Sequence, residues 1–263
     1  MSFLEIKNIE KSFGSVQVLK GISVNLEHGE VLAVIGSSGG GKTTFLRCLN
    51  FLTMADSGTI SIDGKTLFDG ADTKVSDKEM RLKRLHFGLV FQSFNLFPQY
   101  TVLQNVTLAK NLLDKEELKA KKAYSRGAWS SLKEKNRLDA MALLERVGLA
   151  EKADFYPWQL SGGQCQRAAI ARALSLSPDV LCFDEPTSAL DPELTGEVLK
   201  VIKDLRDEGR TMIIVTHEME FAKNVADKVI FIADGEVVEE GTPTEVFDNP
   251  INEKTKAFLM KPM

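Results

Sequence analysis

Four short runs of the chain are apolar throughout and contain many β-branched residues. They are Val31–Ile35, Phe87–Phe91, Val180–Phe183 and Met212–Val215. A strand without polar positions is buried on both faces, as happens in a parallel sheet that helices cover on both sides. The pattern therefore predicts an α/β fold with a parallel sheet at its centre.

A second set of short β-branched runs lies in the first quarter of the chain. Phe3–Ile9, Val16–Leu26 and Thr59–Ile62 end in glycines or polar turns, such as Asp63-Gly64. Short runs that are close in sequence and separated by turns are typical of antiparallel strands. We expect an antiparallel β layer beside the parallel sheet.

The pattern becomes helical between Thr101 and Ser177. Apolar residues recur there at helical spacing, which predicts a helical subdomain inserted into the α/β core. The predicted stripe consists of Leu138, Ala142, Glu145 and Leu149, with Leu143, Leu144 and Val147 between them. A further helix is expected to begin at Asp191-Pro192, with aspartate as N-cap and proline at the first helical position, and to end at Gly209.

Polar and reactive groups follow each of the four apolar runs. They are a glycine-rich loop, Gln92, the pair Asp184-Glu185, and His217. Ligands of open α/β sheets bind beyond the carboxyl ends of the strands. We therefore expect one site that collects all four groups.

The glycine-rich loop lies between a predicted strand and a predicted helix and matches G-x-x-x-x-G-K-[ST]. Glycine lets backbone N–H groups approach a triphosphate closely, and the following helix adds its positive end. Lys42 is expected to contact the outer phosphates, and the Thr43 hydroxyl to ligate Mg²⁺. The alternative is a flexible glycine loop without a ligand. The loop consists of Gly36, Ser37, Ser38, Gly39, Gly40, Gly41, Lys42, Thr43 and Thr44.

The two carboxylates at the end of the third apolar run are candidates for the hydrolytic chemistry. Successive side chains of a strand point to opposite faces, so Asp184 and Glu185 are expected to point differently. One can hold Mg²⁺ through its hydration shell, and the other can deprotonate a water. Gln92 offers an oxygen to the metal, and His217 offers a hydrogen bond to the γ-phosphate. The alternatives are a solvated strand end and two structural polar residues.

A second glycine element, Leu160–Gln164, precedes another predicted helix. Ser161 is a good N-cap, and Gly162 and Gly163 expose backbone N–H groups, so this helix start favours an anion. One phosphate loop has no evident need for two such elements within a monomer. The element is therefore predicted either to serve a nucleotide across a dimer interface or to be an ordinary capped helix.

Composition and charge narrow the class of protein. The formal net charge of −4 argues against broad nucleic-acid binding. Three cysteines that fit no metal-ligand spacing suggest reduced thiols in a cytosolic compartment. No apolar run approaches the roughly 18 residues of a membrane span, and the start of the chain shows no secretory signal.

The order of these motifs resembles that of the ATP-binding-cassette ATPases over nearly the whole chain. The motifs are Gly36–Thr44, Gln92, Leu160–Gln164, Val180–Glu185, Ser188–Asp191 and His217. The resemblance implies a P-loop NTPase fold of residues 1–263, with an antiparallel β subdomain and an inserted helical subdomain. Residues 1–100 and 178–263 would form the RecA-like core and the β layer, and residues 101–177 the helical subdomain with the signature motif.

The resemblance also implies roles for individual residues. The chain would form a head-to-tail homodimer with two ATP molecules sandwiched between glycine loop and signature motif, and Ser161 and Gly163 would reach the γ-phosphate of the opposite subunit. Glu185 would be the general base and His217 the switch histidine. The remaining expected roles are Thr43, Gln92 and Asp184 in the Mg²⁺ shell, Asp191 at the dimer seam, Phe13 stacked on adenine and Val18 against the nucleoside. For Phe13 and Val18, packing in the core is the alternative.

Within the family, several segments look like those of the importers of polar amino acids. They are Phe45–Asn50, Phe91–Pro98, Thr101–Ala109 and Phe247–Pro250. The resemblance implies a subunit that lies peripherally at the cytoplasmic face of the membrane, bound to separate permease subunits and served indirectly by a substrate-binding protein. The apolar loop Phe94–Pro98 would receive the permease, with a buried loop as the alternative. The other functions considered are export, cell division and a non-transport cassette.

One stretch, Lys110–Arg137, is longer and more basic than expected for such importers. It holds nine Lys and Arg against four Asp and Glu in a net-acidic chain. It is predicted to be a solvated extension of the helical subdomain, and the alternative is proximity to anionic lipid or a membrane partner.

Overall fold

The fold is described by a computed structural model that covers residues 2–71 and 75–260. Its strands are β1 (Leu4–Phe13), β2 (Val16–Leu26), β3 (Val31–Ile35), β4 (Ser57–Ile62), β5 (Lys65–Asp69), β6 (Phe87–Val90), β7 (Val180–Asp184), β8 (Met212–Val215), β9 (Lys228–Ala233) and β10 (Glu236–Gly241). Its α-helices are α1 (Lys42–Leu49), α2 (Asp77–Arg84), α3 (Val102–Ala120), α4 (Arg126–Arg146), α5 (Gly162–Leu174), α6 (Pro192–Asp207), α7 (Met219–Val225) and α8 (Glu253–Leu259).

The four apolar runs form four adjacent strands of a six-stranded sheet with the order β10-β9-β3-β8-β7-β6, in which β6 is an edge strand. Neighbours from β9 to β6 are parallel, and only β10 is antiparallel, at one edge. Every residue of β3, β7 and β8 is buried, as expected for strands covered on both faces. The predicted parallel sheet is confirmed.

The predicted β layer is a four-stranded antiparallel sheet with the order β2-β1-β4-β5. The side chains that β1 and β2 bury, such as Leu4, Ile6 and Leu19, share one apolar core with Phe45 and Leu46 of α1. This core lies between the two sheets. It fixes α1, and with it the end of the glycine-rich loop, against both of them.

The helical insertion between β6 and β7 is confirmed, and the predicted apolar stripe on α4 is buried in part, at Leu144 and, just beyond the helix, at Val147. Leu138, Ala142 and Glu145 are exposed, whereas Ala140 and Leu144 are buried. The helix ends at Arg146 because Gly148, at φ +68°, allows a reversal that Leu149 N–H closes onto Leu144 O at 2.7 Å. Leu149 is therefore buried as part of this turn, beyond the end of the helix.

The basic stretch lies on a helical hairpin formed by α3 and α4. Residues 121–127 at its tip are all exposed, as expected for a solvated extension. A buried polar contact joins the two helices, in which Asn136 Nδ2 donates to Asp114 Oδ2 at 2.7 Å. Proximity to anionic lipid or a membrane partner, the alternative for this stretch, stays a hypothesis.

Helix α6 begins at Pro192 and is followed by Gly209 at φ +74°, as predicted. Asp191 holds the N-cap position, but its side chain makes no capping hydrogen bond, which corrects that part of the expectation. The aspartate side chain is exposed instead.

None of the helices within residues 2–71 and 75–260 is both long enough and apolar enough to cross a bilayer. The division into core and helical parts stays a prediction, and its outermost residues, 1 and 261–263, lie outside the described ranges.

Candidate functional site

The polar groups that follow the parallel strands lie along one edge of the sheet. In the sheet register, Val34 of β3 and Asp184 of β7 both pair with Val215 of β8. Residues just beyond these positions, including Gly36, Glu185 and His217, therefore leave the sheet at the same level. The sequence predicted this convergence from the carboxyl-end rule.

The glycine-rich loop has a backbone that only glycine fits at its first position. Gly36 has φ +148°, and a methyl group there would lie 2.1 Å from the carbonyl oxygen of Ile232. Ser37, Ser38 and Gly39 form an exposed tip, while Gly40, Gly41 and Lys42 are buried and Thr43 and Thr44 are half-buried. The loop is thus fixed at both ends and open at its tip.

The ammonium group of Lys42 is folded back onto the loop. Nζ donates to Gly36 O at 2.8 Å and to Ser37 O at 3.0 Å. Burial lowers the pKa of Lys42, while the negative charges of Glu185 and Asp184 act in the opposite direction. A buried cation held by neutral carbonyls favours an anionic ligand, because such a ligand restores the charge pairing that burial removes.

Thr43 and Asp184 bring two oxygen ligands together. Thr43 Oγ1 donates to Asp184 Oδ1 at 3.0 Å. Burial raises the pKa of Asp184, the hydrogen bond from Thr43 lowers it, and the charge of Glu185 raises it further. A desolvated carboxylate beside a hydroxyl suits a hard cation such as Mg²⁺, which stabilises the ionised form.

The described residues contain no group of three or more His, Cys, Asp or Glu side chains placed to hold a metal. Mg²⁺ usually takes one or two carboxylates and completes its shell with phosphate oxygens and water. The pair Thr43 and Asp184 fits that manner of binding.

Glu185 points away from Asp184, toward His217. Its Oε1 lies 2.9 Å from His217 Nε2, and its N–H donates to Val215 O at 2.9 Å. The backbone of Glu185 has φ +48°, a left-handed conformation that is unfavourable for a residue with a side chain. The conformation directs the carboxylate out of the strand, so that the two acids serve different partners.

Gln92 lies on an exposed bend just after β6. None of the side-chain hydrogen bonds within the described ranges joins it to Thr43, Asp184 or Glu185. The structure thus places Gln92 at the same edge of the sheet without bringing it into contact with the metal-binding pair.

Phe13 and Val18 both lie in the β layer, but their side chains differ in exposure to solvent. The ring of Phe13 is 52% exposed, with Lys11 Nζ 5.5 Å from its centroid. Val18 is half-buried, and a methyl group on Gly41 would lie 3.8 Å from its Cγ1. Core packing therefore does not account for Phe13, whereas Val18 both packs on the core and borders the glycine loop.

The second glycine element is the N-terminus of α5. Ser161 Oγ accepts from Gln164 N–H at 3.3 Å, and Gln164 Oε1 accepts from Ser161 N–H at 3.1 Å. This reciprocal pair is a capping box, which confirms Ser161 as the N-cap. Gly162 is half-buried and Gly163 is buried.

Three polar side chains near the site, of which Asn105 and Gln166 are buried and Arg172 is half-buried, were not predicted from the sequence. Asn105, Gln166 and Arg172 each donate to backbone carbonyls of the loop that carries Gln92. A polar residue inside an apolar helical pattern is the only signal that points to them, and it does not name their partners.

Comparison with known proteins gives a consistent picture. A sequence profile of the family described as "ABC transporter" matches residues 19–188. The chain is 48% identical to the arginine transport ATP-binding protein ArgV of Corynebacterium glutamicum, across 97% of this chain and 96% of that protein. It is 47% identical to the L-cystine import ATP-binding protein TcyC of Bacillus subtilis, across 97% of each. It is also 47% identical to the nopaline permease ATP-binding protein P of Agrobacterium fabrum, across 97% and 96%.

Two solved structures resemble the fold at 31% identity. One is the dimeric post-hydrolysis state of the ATP-binding cassette MJ0796 bound to ADP and Pi, with a TM-score of 0.71 over 91% of this chain and 98% of that one. The other is CbiO1 from Clostridium perfringens, part of the transporter complex CbiONQ, with a TM-score of 0.75 over 94% and 91%. The predicted fold class is confirmed.

Proposed function

Because the chain belongs to the ABC transporter family, we propose that it is the ATP-binding and ATP-hydrolysing subunit of a bacterial importer for polar amino acids. Separate membrane subunits would use the energy of hydrolysis for transport. The observation that carries this function is the meeting of the Thr43–Asp184 and Glu185–His217 pairs at the sheet edge beside the glycine loop. The likeness to arginine, cystine and nopaline transport subunits favours import over export, cell division or a non-transport role.

The glycine loop binds the triphosphate of ATP. The first turn of α1 leaves its N–H groups without helical partners, and they point toward the loop. Lys42 would give up its hydrogen bonds to two neutral carbonyls and bind the charged outer phosphates instead. Hydrogen bonds between charged groups are the stronger kind. The exposed ring of Phe13 offers a face on which adenine stacks. Val18, on the neighbouring strand β2, borders the glycine loop at Gly41.

Mg²⁺ would be held by Thr43, Asp184 and, after a shift of its loop, Gln92. Bound there together with the phosphates, the ion neutralises charge on the triphosphate. Asp184 is largely shielded from bulk solvent, and the Thr43 hydroxyl orients its carboxylate.

Glu185 would act as the general base. A water oxygen attacks the γ-phosphorus, its proton passes to a carboxylate oxygen of Glu185, and the bond from the γ-phosphorus to the bridging oxygen breaks to leave ADP. His217 holds one carboxylate oxygen, which leaves the other free to face the water. With its remaining nitrogen or after rotation, His217 is placed to bond the γ-phosphate.

We also propose that two copies of the chain close head to tail on two ATP molecules. Ser161, Gly162 and Gly163 at the N-terminus of α5 would contact the γ-phosphate held by the other copy, with Asp191 at the seam. Two observations support this arrangement: the capping box that pre-forms the helix start, and the exposed position of Asp191. The dimeric MJ0796 cassette has the same fold.

The permease subunits are proposed to bind at the loop Phe94–Pro98. Phe97 is 44% exposed there, and Pro98 is also exposed, which excludes a fully buried loop. The chain would then lie at the cytoplasmic face of the membrane, and a substrate-binding protein would act on the permease from the other side. No part of this arrangement involves nucleic acid.

Uptake by reconstituted vesicles tests the proposed function. The full chain, purified with its membrane subunits, is expected to drive ATP-dependent uptake of radiolabelled arginine or cystine. Glu185→Gln is expected to lower kcat for ATP at least about 100-fold, the usual contribution of a general base, with ATP binding retained. Glu236→Gln, on the exposed edge strand β10, is the matched control. Wild-type turnover by Glu185→Gln would refute the assignment of the base.

A further inference from the structure

The loop that carries Gln92 is fastened to the helical insertion on both of its sides. This loop, Phe91–Tyr100, runs from the end of β6 to the start of α3. Gln92 itself is exposed, yet the backbone around it is held by buried side chains of α5 and α3. The position of Gln92 is therefore set by the helical insertion as well as by the sheet.

Helix α5 holds the first half of the loop through two side chains. Gln166 is fully buried, and its Nε2 donates to Phe91 O at 3.2 Å. The guanidinium of Arg172 forks onto two carbonyls, with Nη1 2.5 Å from Asn95 O and Nη2 3.1 Å from Phe94 O. These anchors lie one residue before Gln92 and two and three residues after it.

The environment of Arg172 shows that its role is the recognition of carbonyls. Among the described residues, no carboxylate lies within ion-pair distance of its guanidinium. Burial lowers the pKa of Arg172, which is the direction expected when a cation is desolvated without an acidic partner. Such a side chain is costly to bury, so its hydrogen bonds to the loop offset a substantial penalty.

Helix α3 holds the second half of the loop through Asn105, which is 1% exposed. Its amide accepts from Phe97 N–H at 2.8 Å and donates to Phe97 O, Tyr100 O and Thr101 O at 3.0–3.1 Å. Both halves of the loop are thus hydrogen-bonded to helices of the insertion.

A direct packing contact links the same loop to the signature motif. A methyl group on Gly162, the first residue of α5, would lie 3.5 Å from Cζ of Phe94 and 3.0 Å from Cδ2 of Leu190. The Phe94 ring, the start of α5 and the residue before Asp191 therefore meet at one point. The loop thus packs directly on the segment Ser161–Gly163.

We propose that Gln166 and Arg172 are positioning residues for ATP hydrolysis, which clamp the loop on both sides of Gln92 to the helix that carries the signature motif. Through this clamp, Gln92 and Ser161–Gly163 take up their catalytic positions together. The inference rests on the proposed role of Gln92 in the site. It adds that this role depends on two residues that touch neither nucleotide nor metal.

A double-mutant cycle between Arg172 and Gln92 tests the clamp in the complete transporter. Arg172→Ala is expected to lower kcat about tenfold, the effect of about 1.4 kcal/mol on the barrier, and to leave the KM for ATP within about twofold. If Arg172 acts through Gln92, the variant Gln92→Ala, Arg172→Ala is no slower than Gln92→Ala alone. Residues that merely stabilise the fold would instead give multiplied losses.

Two further variants keep the test informative if Arg172→Ala folds poorly, which its melting temperature would reveal. Arg172→Lys keeps the charge but reaches one carbonyl instead of two, so its kcat is expected between those of wild type and Arg172→Ala. Gln166→Met keeps the approximate shape of the side chain and removes the hydrogen bond to Phe91 O. It is also expected to lower kcat and to leave the KM for ATP nearly unchanged. Arg126→Ala, at the exposed start of α4, is the control and is expected to behave as wild type.

Three outcomes would overturn the inference: wild-type kcat in Arg172→Ala and Gln166→Met, full rescue by Arg172→Lys, or multiplied losses in the double variant. The inference would also be overturned if Gln92→Ala had the kcat of wild type while Arg172→Ala had a lowered kcat. Arg172 could then not act through Gln92. Absence of ATP hydrolysis by the wild-type transporter would instead contradict the proposed function itself.

Discussion

At the scale of single residues, neighbouring acids take on different tasks because their surroundings differ. Asp184 is buried against α1, where Thr43 donates to it, whereas Glu185 leaves the strand in a left-handed backbone conformation and bonds His217. The first environment suits a metal ligand and the second a base that faces water. Strain of this kind at a functional residue persists only where the surrounding structure fixes it, here through the bond from Glu185 N–H to Val215 O.

Asp56 gives a prediction about pH. Its carboxylate accepts from Lys11 Nζ at 2.6 Å and from Ser12 N–H at 2.7 Å, and these bonds lower its pKa. A depressed pKa stabilises the fold above the unfolded value of about 3.9 and loses that effect as the pH falls through the folded value. Because the group is exposed, the stabilisation at pH 7 is expected to be about 1 kcal/mol or less.

Chemical unfolding of Asp56→Asn and wild type, followed from pH 7 to pH 3.5, checks this prediction. The difference in unfolding free energy should be constant near neutrality and shrink below about pH 4. Asp139→Asn, an exposed change on α4, should show no such trend. A difference that grows on acidification would contradict the assignment.

At the scale of elements, the helical hairpin of α3 and α4 depends on polar contacts as well as apolar ones. Asp114 is 6% exposed and accepts from Asn136 Nδ2 at 2.7 Å, while Lys110 lies 3.1 Å away. Asn136 also donates to Asn111 Oδ1 at 3.0 Å. A buried carboxylate of this kind is tolerated only where its partners remain in place.

Asn136→Leu is therefore expected to destabilise the chain by about 1–3 kcal/mol, because it leaves Asp114 without its shortest hydrogen bond. Lys135→Leu places the same side chain on the exposed face of α4 and should cost little. The ATPase rate should be unchanged in both, since among the described residues the Asn136 side chain bonds only Asn111 and Asp114, and neither substituted side chain holds the loop Phe91–Tyr100. Thermal unfolding and amide exchange of α3 and α4 measure the effect, and equal stability of the two variants would argue against it.

The elements also show how far the sequence alone reaches. Continuous apolar runs identified β3, β6, β7 and β8, because strands buried on both faces have few polar residues. Short β-branched runs between turn residues identified β1, β2 and β4. The stripe on α4 was right at Leu144 and Val147, which are buried, and wrong at Leu138, which is 55% exposed, because periodicity cannot distinguish an exposed leucine from a buried one. The anchors Gln166 and Arg172 were missed because their partners are backbone carbonyls distant in sequence, and Asn105 because its partners, although near in sequence, are backbone carbonyls of a loop without a periodic pattern.

At the scale of the whole molecule, the site is divided between two parts of the chain that approach ATP from different sides. The glycine loop, Asp184 and Glu185 lie on the sheet, and Ser161–Gly163 lies on the helical insertion. Among the described residues, no hydrogen bond joins the signature segment to the glycine loop. A second copy of the chain is therefore the proposed source of the missing half of each site.

The most direct test of that claim combines two defective copies, both in the Glu185→Gln background. Lys42→Ala removes the phosphate contact, and Ser161→Arg blocks the signature motif. In a head-to-tail dimer, mixing the two places both defects in one site and leaves the other site intact. The mixture is therefore expected to form a dimer with MgATP, measured by light scattering, with one nucleotide bound per dimer. Each variant alone should remain monomeric, and a mixture that also remains monomeric would contradict the account.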